Sequence, residues 1–157
     1  MEKYKDTSES VNQLGSISGS GNQFRKIIPS HEKLWVWQKA HKLMLQLHTI
    51  TKSLPVEERF RLKDQVRRSS KSVPANMAEG CNSYYYNEKI KGYRHARKES
   101  GETQNHIREM QRKNYISNRE SEAIIYEYEE VIRGLNGLVR YYSKKRDESK
   151  LRGQHRN

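Results

Sequence analysis

At 157 residues the chain has about one domain's length, enough to bury a single modest core. Its 31 Lys and Arg against 19 Asp and Glu leave a net charge of +12, which makes a polyanion the first partner to consider. No apolar run of about 18 residues occurs, MEKYKDTSES at the N-terminus lacks a signal peptide's apolar centre, and the lone Cys81 excludes an internal disulfide and a thiolate zinc site, so a soluble cytoplasmic protein without membrane, metal or other cofactor is expected.

Residues 1–30 include VNQLGSISGSGNQ, whose Gly, Ser and Asn bury too little apolar surface to offset ordering entropy; they read as a disordered arm. The folded domain is placed at 31–143. From Lys144 the chain ends in KKRDESKLRGQHRN, a basic tail at 144–157 into which the last helix can continue before fraying.

The domain shows four helical periods and no strand. In KLWVWQKAHKLMLQLHTITKSLP, Trp37, Ala40, Met44, Leu47, Thr51 and Leu54 recur at spacings of three and four, widened by Val36, Leu43 and Ile50. Pro55 suits the first turn of the second helix, whose stripe is Leu62, Val66, Ser69, Val73 and Met77, with Gly80 closing it. Pro74 falls inside this stripe. Lacking an N–H and crowding the carbonyl of Ser70, it costs about 3 kcal/mol unless the helix bends, so a kink near Ser70 is expected. The small Ser69, Ser70, Ser72, Ala75 and Ala78 then admit a neighbouring helix, and Asn76 can bond freed backbone.

A third helix, near Asn87 to Lys113, carries Tyr93, Ala96, Ser100, Thr103, Ile107 and Met110, a seam suited to close backbone approach. The turn NYISNRE offers a capping box, Ser117 as N-cap and Glu120 three residues on, before Ile124, Tyr128, Val131, Leu135, Leu138 and Tyr142. Helices of about 20 to 27 residues with short connections predict an all-α, antiparallel up-down four-helix bundle, the second helix kinked at Pro74. With 32% hydrophobic residues the isolated bundle is marginal, and self-association would relieve it.

Arg59, Lys63, Arg67 and Lys71 recur every four residues with Arg61 and Arg68 beside them, a cationic stripe about 20 Å long that spans several phosphates. The third helix adds Lys91, Arg94 and Lys98, flanked by Lys89 and Arg97. From Arg59 to Lys113 there are 14 Lys/Arg and 6 Asp/Glu, net +8, against 3 and 5, net −2, from Ser117 to Ser143. A charged helix face is often only solvated, but this polarisation marks Arg59, Lys63, Arg67, Arg68, Lys71, Lys91, Arg94 and Lys98 as candidate phosphate contacts. Glu57, Glu58, Glu127, Glu129 and Glu130 compete as partners for Arg67 or Arg68, so Arg67, Arg68 and Glu79 are expected to be partly structural and Lys63 and Lys71 freer. Tyr84, Tyr85 and Tyr86 stack on unpaired bases in one reading and cover the bundle end in the favoured one. Trp35 and Trp37 are assigned to core or subunit contacts.

Catalysis finds no residues. His41 and His48 lie about 10 Å apart along a helix, too far to share a metal ion, and Glu102 and His106 are four apart, unlike the Glu-x-x-His of di-iron bundles. Phosphate-loop, dinucleotide and nucleophile-elbow motifs are missing.

Five segments, LWVWQKAHKL, LPVEERFRLKDQVRRSSKSVPANMAEG, ARKESGETQNHI, YISNRESEAI and LNGLV, give the chain a resemblance to the bacterial 23S rRNA intervening-sequence protein family over about residues 31–140. The second is the specific one: Glu57 and Glu58 after Pro55, then Gln65, Arg67, Arg68, Ser72, Pro74, Asn76, Ala78, Glu79 and Gly80 in order. The resemblance implies a helical bundle that associates as a ring, commonly a homopentamer, with a positively charged surface. The same superfamily includes the accessory variability determinant of diversity-generating retroelements, a basic pentamer that works beside a reverse transcriptase and its template RNA. KIKGYRHARKES departs from the family's apolar third helix, as do both tails. The expectation is a non-enzymatic homo-oligomer that holds structured RNA or an RNA-handling complex through helices two and three and the tail, by phosphate neutralisation with little base readout. The alternatives are a retroelement accessory subunit bound mainly to a reverse transcriptase during mutagenic retrohoming, and an oligomer whose charge serves solubility.

Overall fold

A computed structural model describes residues 29–154. Apart from its last two residues, the arm proposed for 1–30 lies outside the described residues, as do 155–157 of the tail. The described chain is all-helical, with no strand: α1 (Trp35–Ile50), α2 (Leu62–Asn82), α3 (Tyr86–Arg112) and α4 (Asn118–Gln154). Short 3-10 turns at Ser30–Lys33, Thr51–Ser53 and Val56–Glu58 precede or join the first two helices.

Helix lengths differ from the sequence expectation at both ends of the chain. α1 has 16 residues and α4 has 37, because α4 passes through Ser143 without a break and takes in most of the basic tail. The start of α2 is also later than Pro55 suggests. Pro55 opens a 3-10 turn, and α2 begins at Leu62, where the Glu58 carboxylate accepts the Leu62 N–H at 3.3 Å and satisfies one of the free donors of the first turn. The fourth helix starts as expected, with Ser117 Oγ accepting the N–H of Glu120 at 3.1 Å. Between α3 and α4 the chain reverses at Asn114, whose φ of 60° an asparagine tolerates, while the Tyr115 N–H closes on the Met110 carbonyl at 2.9 Å.

One core joins all four helices, with Tyr93, Tyr128, Leu43, Leu47, Leu62, Met77, Ile107 and Leu135 fully buried. α1 buries Val36, Ala40, Leu43 and Leu47, while Trp37, Met44 and Ile50 are half-buried. Of the stripe read in the sequence, Val36, Ala40, Leu43, Leu47, Thr51 and Leu54 are buried, and Trp37, Met44 and Ile50 lie at its flank, because α1 sits against both α2 and α4. There the Trp37 indole N–H donates to the Pro74 carbonyl at 3.1 Å.

Contacts run along each neighbouring pair in opposite sequence order. Between α2 and its partner α3, Gly80 meets Gly92, Ser69 and Thr103 hydroxyls lie 2.9 Å apart, and Glu58 meets Lys113 at 2.9 Å. Between α3 and α4, Tyr93 stacks on Tyr142 at 5.7 Å, Arg97 reaches Asn136 at 3.0 Å, and Gln104 reaches Glu129 at 2.8 Å. α4 returns to α1 through Gly134, against Val36 and Trp35, and through Glu130, which pairs with Lys39.

Pro74 is buried within a continuous α2. The Asn76 amide donates to the Ser72 carbonyl at 2.8 Å rather than to that of Ser70, which Pro74 leaves without its helical donor. Four residues separate Asn76 from Ser72, one helical turn, so the side chain reaches that carbonyl without unwinding.

At Gly80 and Gly92 the backbones of α2 and α3 come directly against each other. A Cβ on Gly92 would lie 2.7 Å from the Gly80 Cα and 2.9 Å from the Asn76 carbonyl oxygen, atoms that cannot turn aside. Gly92→Ala is expected to destabilise the fold by about 1–3 kcal/mol. Gly101→Ala, where nothing lies within 4 Å, should be neutral or stabilising by up to about 1 kcal/mol. Urea unfolding of the two variants checks the contrast.

Glu58 is 7% exposed and accepts from Lys113 and, at 3.1 Å, from Tyr115 as well as from Leu62. The Lys113 ammonium, against the opposing effect of burial, holds its carboxyl below the ordinary 4.5. Folding lowers this pKa, so the stability it contributes is present above about pH 4.5 and is lost as pH falls through the folded value. Glu58→Gln should lower stability near neutral pH and lose less on acidification than the parent; denaturation at about pH 7 and about pH 3 measures both.

Candidate nucleic-acid interface

The late start of α2 divides the cationic stripe read from the sequence. Arg59 and Arg61 belong to the turn before α2, whereas Lys63, Arg67, Arg68 and Lys71 lie on the helix itself. Steps of four residues advance about 40° around a helix, so Lys63, Arg67 and Lys71 form a slanted row. That row follows the groove between α1 and α2. Arg59, Lys63 and Arg67 border one cleft with Leu54, Val56, Phe60 and Asp64, and Arg67 and Lys71 border the next with Met44, Leu45, His48 and Ser70. The Arg59 guanidinium sits 5.2 Å from the ring of the exposed Phe60.

Arg67 has a structural task. Its Nε donates to Thr51 Oγ1 at 2.9 Å and its Nη2 to the His48 carbonyl at 3.3 Å, tying α2 to the end of α1. The partners are a hydroxyl and a carbonyl, not the acids expected for it. Four of the five are engaged elsewhere, Glu58 with Lys113, Glu127 and Glu130 with Lys39, and Glu129 with Gln104, while Glu57 is exposed and makes no ion pair among the described residues. The Lys39 pair moves both groups, the ammonium raised by Glu130 and the Glu130 carboxyl lowered by Lys39. Arg68 and Glu79 are exposed and make no ion pair among the described residues, so the structural role expected for them is not seen there.

On α3, Lys91, Arg94 and Lys98 are exposed and, at about 100° per residue, fall within about 60° of one another. Lys91 borders a cleft between α2 and α3 together with Asn76, Glu79, Ser83, Glu88 and His95. The eight sequence candidates therefore form two rows, one beside α1 and one on α3, with Arg68 on the exposed side of α2. None of the eight makes an ion pair among the described residues. The last turns of α4 add cations near the start of α3, where Arg146 Nη1 lies 3.4 Å from Asn87 Oδ1.

Sequence reasoning missed the display of tyrosines. Tyr84 and Tyr85 are 87% and 65% exposed, so they do not cover the bundle end; only Tyr86 is half-buried. Their position between a helix stop at Gly80 and a new period at Asn87 was the available signal for a projecting turn. Trp35 is 57% exposed while Trp37 packs on the core. Among the described residues no group of three His, Cys, Asp or Glu is arranged to hold a metal ion, and no helix is long and apolar enough to cross a membrane.

Fold and surface together define a four-helix, all-α protein with an open basic surface. The chain belongs to the 23S rRNA-intervening sequence protein family, whose sequence profile its residues 32–137 match. Its fold is similar to a crystal structure of a protein with unknown function from the S23 ribosomal protein family of Bacteroides thetaiotaomicron VPI-5482, with a TM-score of 0.62 and 24% identity over 67% of this chain and 95% of that one. At that identity the likeness concerns the fold. No curated protein matches the sequence.

The distinct tasks of the cations are measurable. Arg67→Ala should cost about 1 kcal/mol through the lost bonds to Thr51 and His48, while Lys71→Ala should stay within about 0.5 kcal/mol of the parent in urea unfolding.

Proposed function

We propose that the four helices form an antiparallel up-down bundle, bent at Pro74, that self-associates and holds structured RNA or an RNA-handling complex without catalysis. The opposite sequence order of contacts in each pair supports the topology. The hydroxyls of Ser70 and Ser72, bonded back to the carbonyls of Arg67 and Arg68 at 3.2 and 2.9 Å, favour bending beside the proline. The chain acts in the cytoplasm, and a homopentamer is the assembly that the family resemblance suggests.

One observation carries the RNA reading. Glu122, Glu127, Glu129 and Glu130 of α4 are engaged by other cations or an amide, and Glu58 and Glu109 by Lys113, while the two rows flanking α2 are left without ion pairs among the described residues, Asp64, Glu79 and Glu88 being the acids that border their clefts. Such rows neutralise phosphates, position a backbone and release counterions, with little discrimination among bases. A second reading, a retroelement accessory subunit whose main contact is a reverse transcriptase and whose template RNA is secondary, is favoured by the exposed Leu45, Val56 and Phe60 between the α1-side cations. A protein surface covers apolar side chains as phosphate does not.

Charge reversal separates these. Lys63→Glu, Lys71→Glu, Lys91→Glu and Lys98→Glu combined should abolish RNA retention at moderate salt and flatten the dependence of log K on log salt by about 0.7 to 0.9 per phosphate contact removed. Unchanged retention counts against the assignment, and retained binding of a reverse transcriptase with loss of RNA favours the accessory role.

A further inference from the structure

The turn between α2 and α3 shows two aromatic side chains, Tyr84 and Tyr85, to solvent, where folding asks for none. Tyr84 and Tyr85 gain little from burial at 87% and 65% exposure, and their rings stand edge to face with centroids 5.1 Å apart. The next tyrosine continues the surface: the Tyr86 ring lies 6.2 Å from Tyr142, which lies 5.0 Å from Tyr141, itself 55% exposed. α1 does not cover this end, because Gly134 already lies against its first residues, Trp35 and Val36, and α4 runs on beyond them. Cations are interleaved with the rings. Lys145 Nζ, paired with Glu148 at 3.5 Å, lies 5.9 Å from the Tyr141 ring, Lys89 Nζ, which donates to the Cys81 carbonyl at 2.7 Å, lies 5.6 Å from that of Tyr142, and Tyr86, Lys145, Glu148 and Arg152 share a cleft. Residues 84–94 and 141–152 together hold 8 Lys/Arg against 3 Asp/Glu, net +5.

We propose that this tyrosine corner, Tyr84, Tyr85 and Tyr86 with Tyr141, stacks the unpaired bases of a single-stranded RNA segment while the cations of α3 and the end of α4 take its phosphates. Rings standing free on a cationic surface match a chain whose bases offer open faces and whose backbone is anionic; paired bases inside a duplex offer no such faces. A protein partner would be drawn to apolar surface, whereas this patch is rimmed by positive charge. The inference rests on the RNA-binding reading and narrows it to a nucleic acid with an unpaired segment beside whatever structured region meets the rows along α2 and α3.

The test uses the full chain and three labelled probes in fluorescence anisotropy at one salt concentration: an oligouridine of about 12 nucleotides, an abasic oligomer of equal length, and a duplex of equal phosphate count. The parent should bind the oligouridine about tenfold or more tighter than the abasic oligomer, and tighter than the duplex. Tyr84→Ala with Tyr85→Ala should lower oligouridine affinity about tenfold and leave the abasic oligomer unchanged, while Tyr84→Phe with Tyr85→Phe keeps the parent affinity. Both side chains are exposed, and circular dichroism of the variants verifies the fold. Equal parent affinity for the oligouridine and abasic probes, or no effect of the alanines, overturns stacking while leaving phosphate binding intact. Failure of the parent to bind any probe overturns both. Loss of a copurifying protein from the alanine variant, with oligouridine binding unchanged, assigns the corner to a protein and likewise overturns the proposal.

Discussion

The approach of α2 to α3 at Gly80 and Gly92 is the constraint on which the arrangement depends. With a Cα of one helix 2.7 Å from where a Cβ of the other would stand, the two backbones meet without side chains between them. This contact lies at the end where α2 turns into α3, so it sets the separation of the helices just before the exposed tyrosines and brings Lys91 beside Glu79 and Asn76. Farther along, Ser69 and Thr103 keep the spacing small, and their hydroxyls meet each other instead of being buried without partners. At the far end Glu58 and Lys113 close the pair. A seam of Gly, Ser and Thr buries little apolar area per residue, and the fold compensates with the larger side chains that α1 and α4 bring to the core.

Charge is divided by the same packing. Acids of α4 face α1 and α3, where Lys39, Arg108 and Gln104 meet them. Glu58, which follows a proline in what looks like a surface turn, is drawn inward to cap α2 and to hold Lys113 and Tyr115. Each such pair removes a negative charge from the exterior field without removing the uncompensated cations along α2 and α3. Charge among the described residues is therefore unevenly displayed, with unpaired cations gathered on α2 and α3.

On the RNA-binding proposal, the two kinds of basic surface would meet different parts of one ligand. The rows flanking α2 are cations over a partly apolar floor, fit for a regular phosphate backbone or for a protein that covers Leu45 and Phe60. The far end joins cations to free aromatic rings. An RNA with a helical region and an unpaired loop presents both features, and the length of α4 places the second beyond the reach of α1.

Periodicity alone determined the all-helical class, the number of helices, the start of α4 at its Ser117 cap and the close seam of α3, because these follow from local spacing and side-chain size. The family, too, was legible in the order of residues from Pro55 to Gly80. Which part of the α1 stripe is fully covered was decided by tertiary structure: Val36 and Leu43 are buried while Trp37 and Met44 stay half-buried, since only contact with α2 and α4 fixes the rotation of α1 about its axis. Tertiary structure also paired Glu58 with Lys113 and Arg67 with Thr51 and His48. These partners lie 16 to 55 residues apart in the chain, and no local pattern ranks one acid above another at such a separation. The exposure of Tyr84 and Tyr85 belongs to the same class: three aromatic residues in a row are as compatible with a covered end as with a bare one, and only the path of the surrounding helices decides between them.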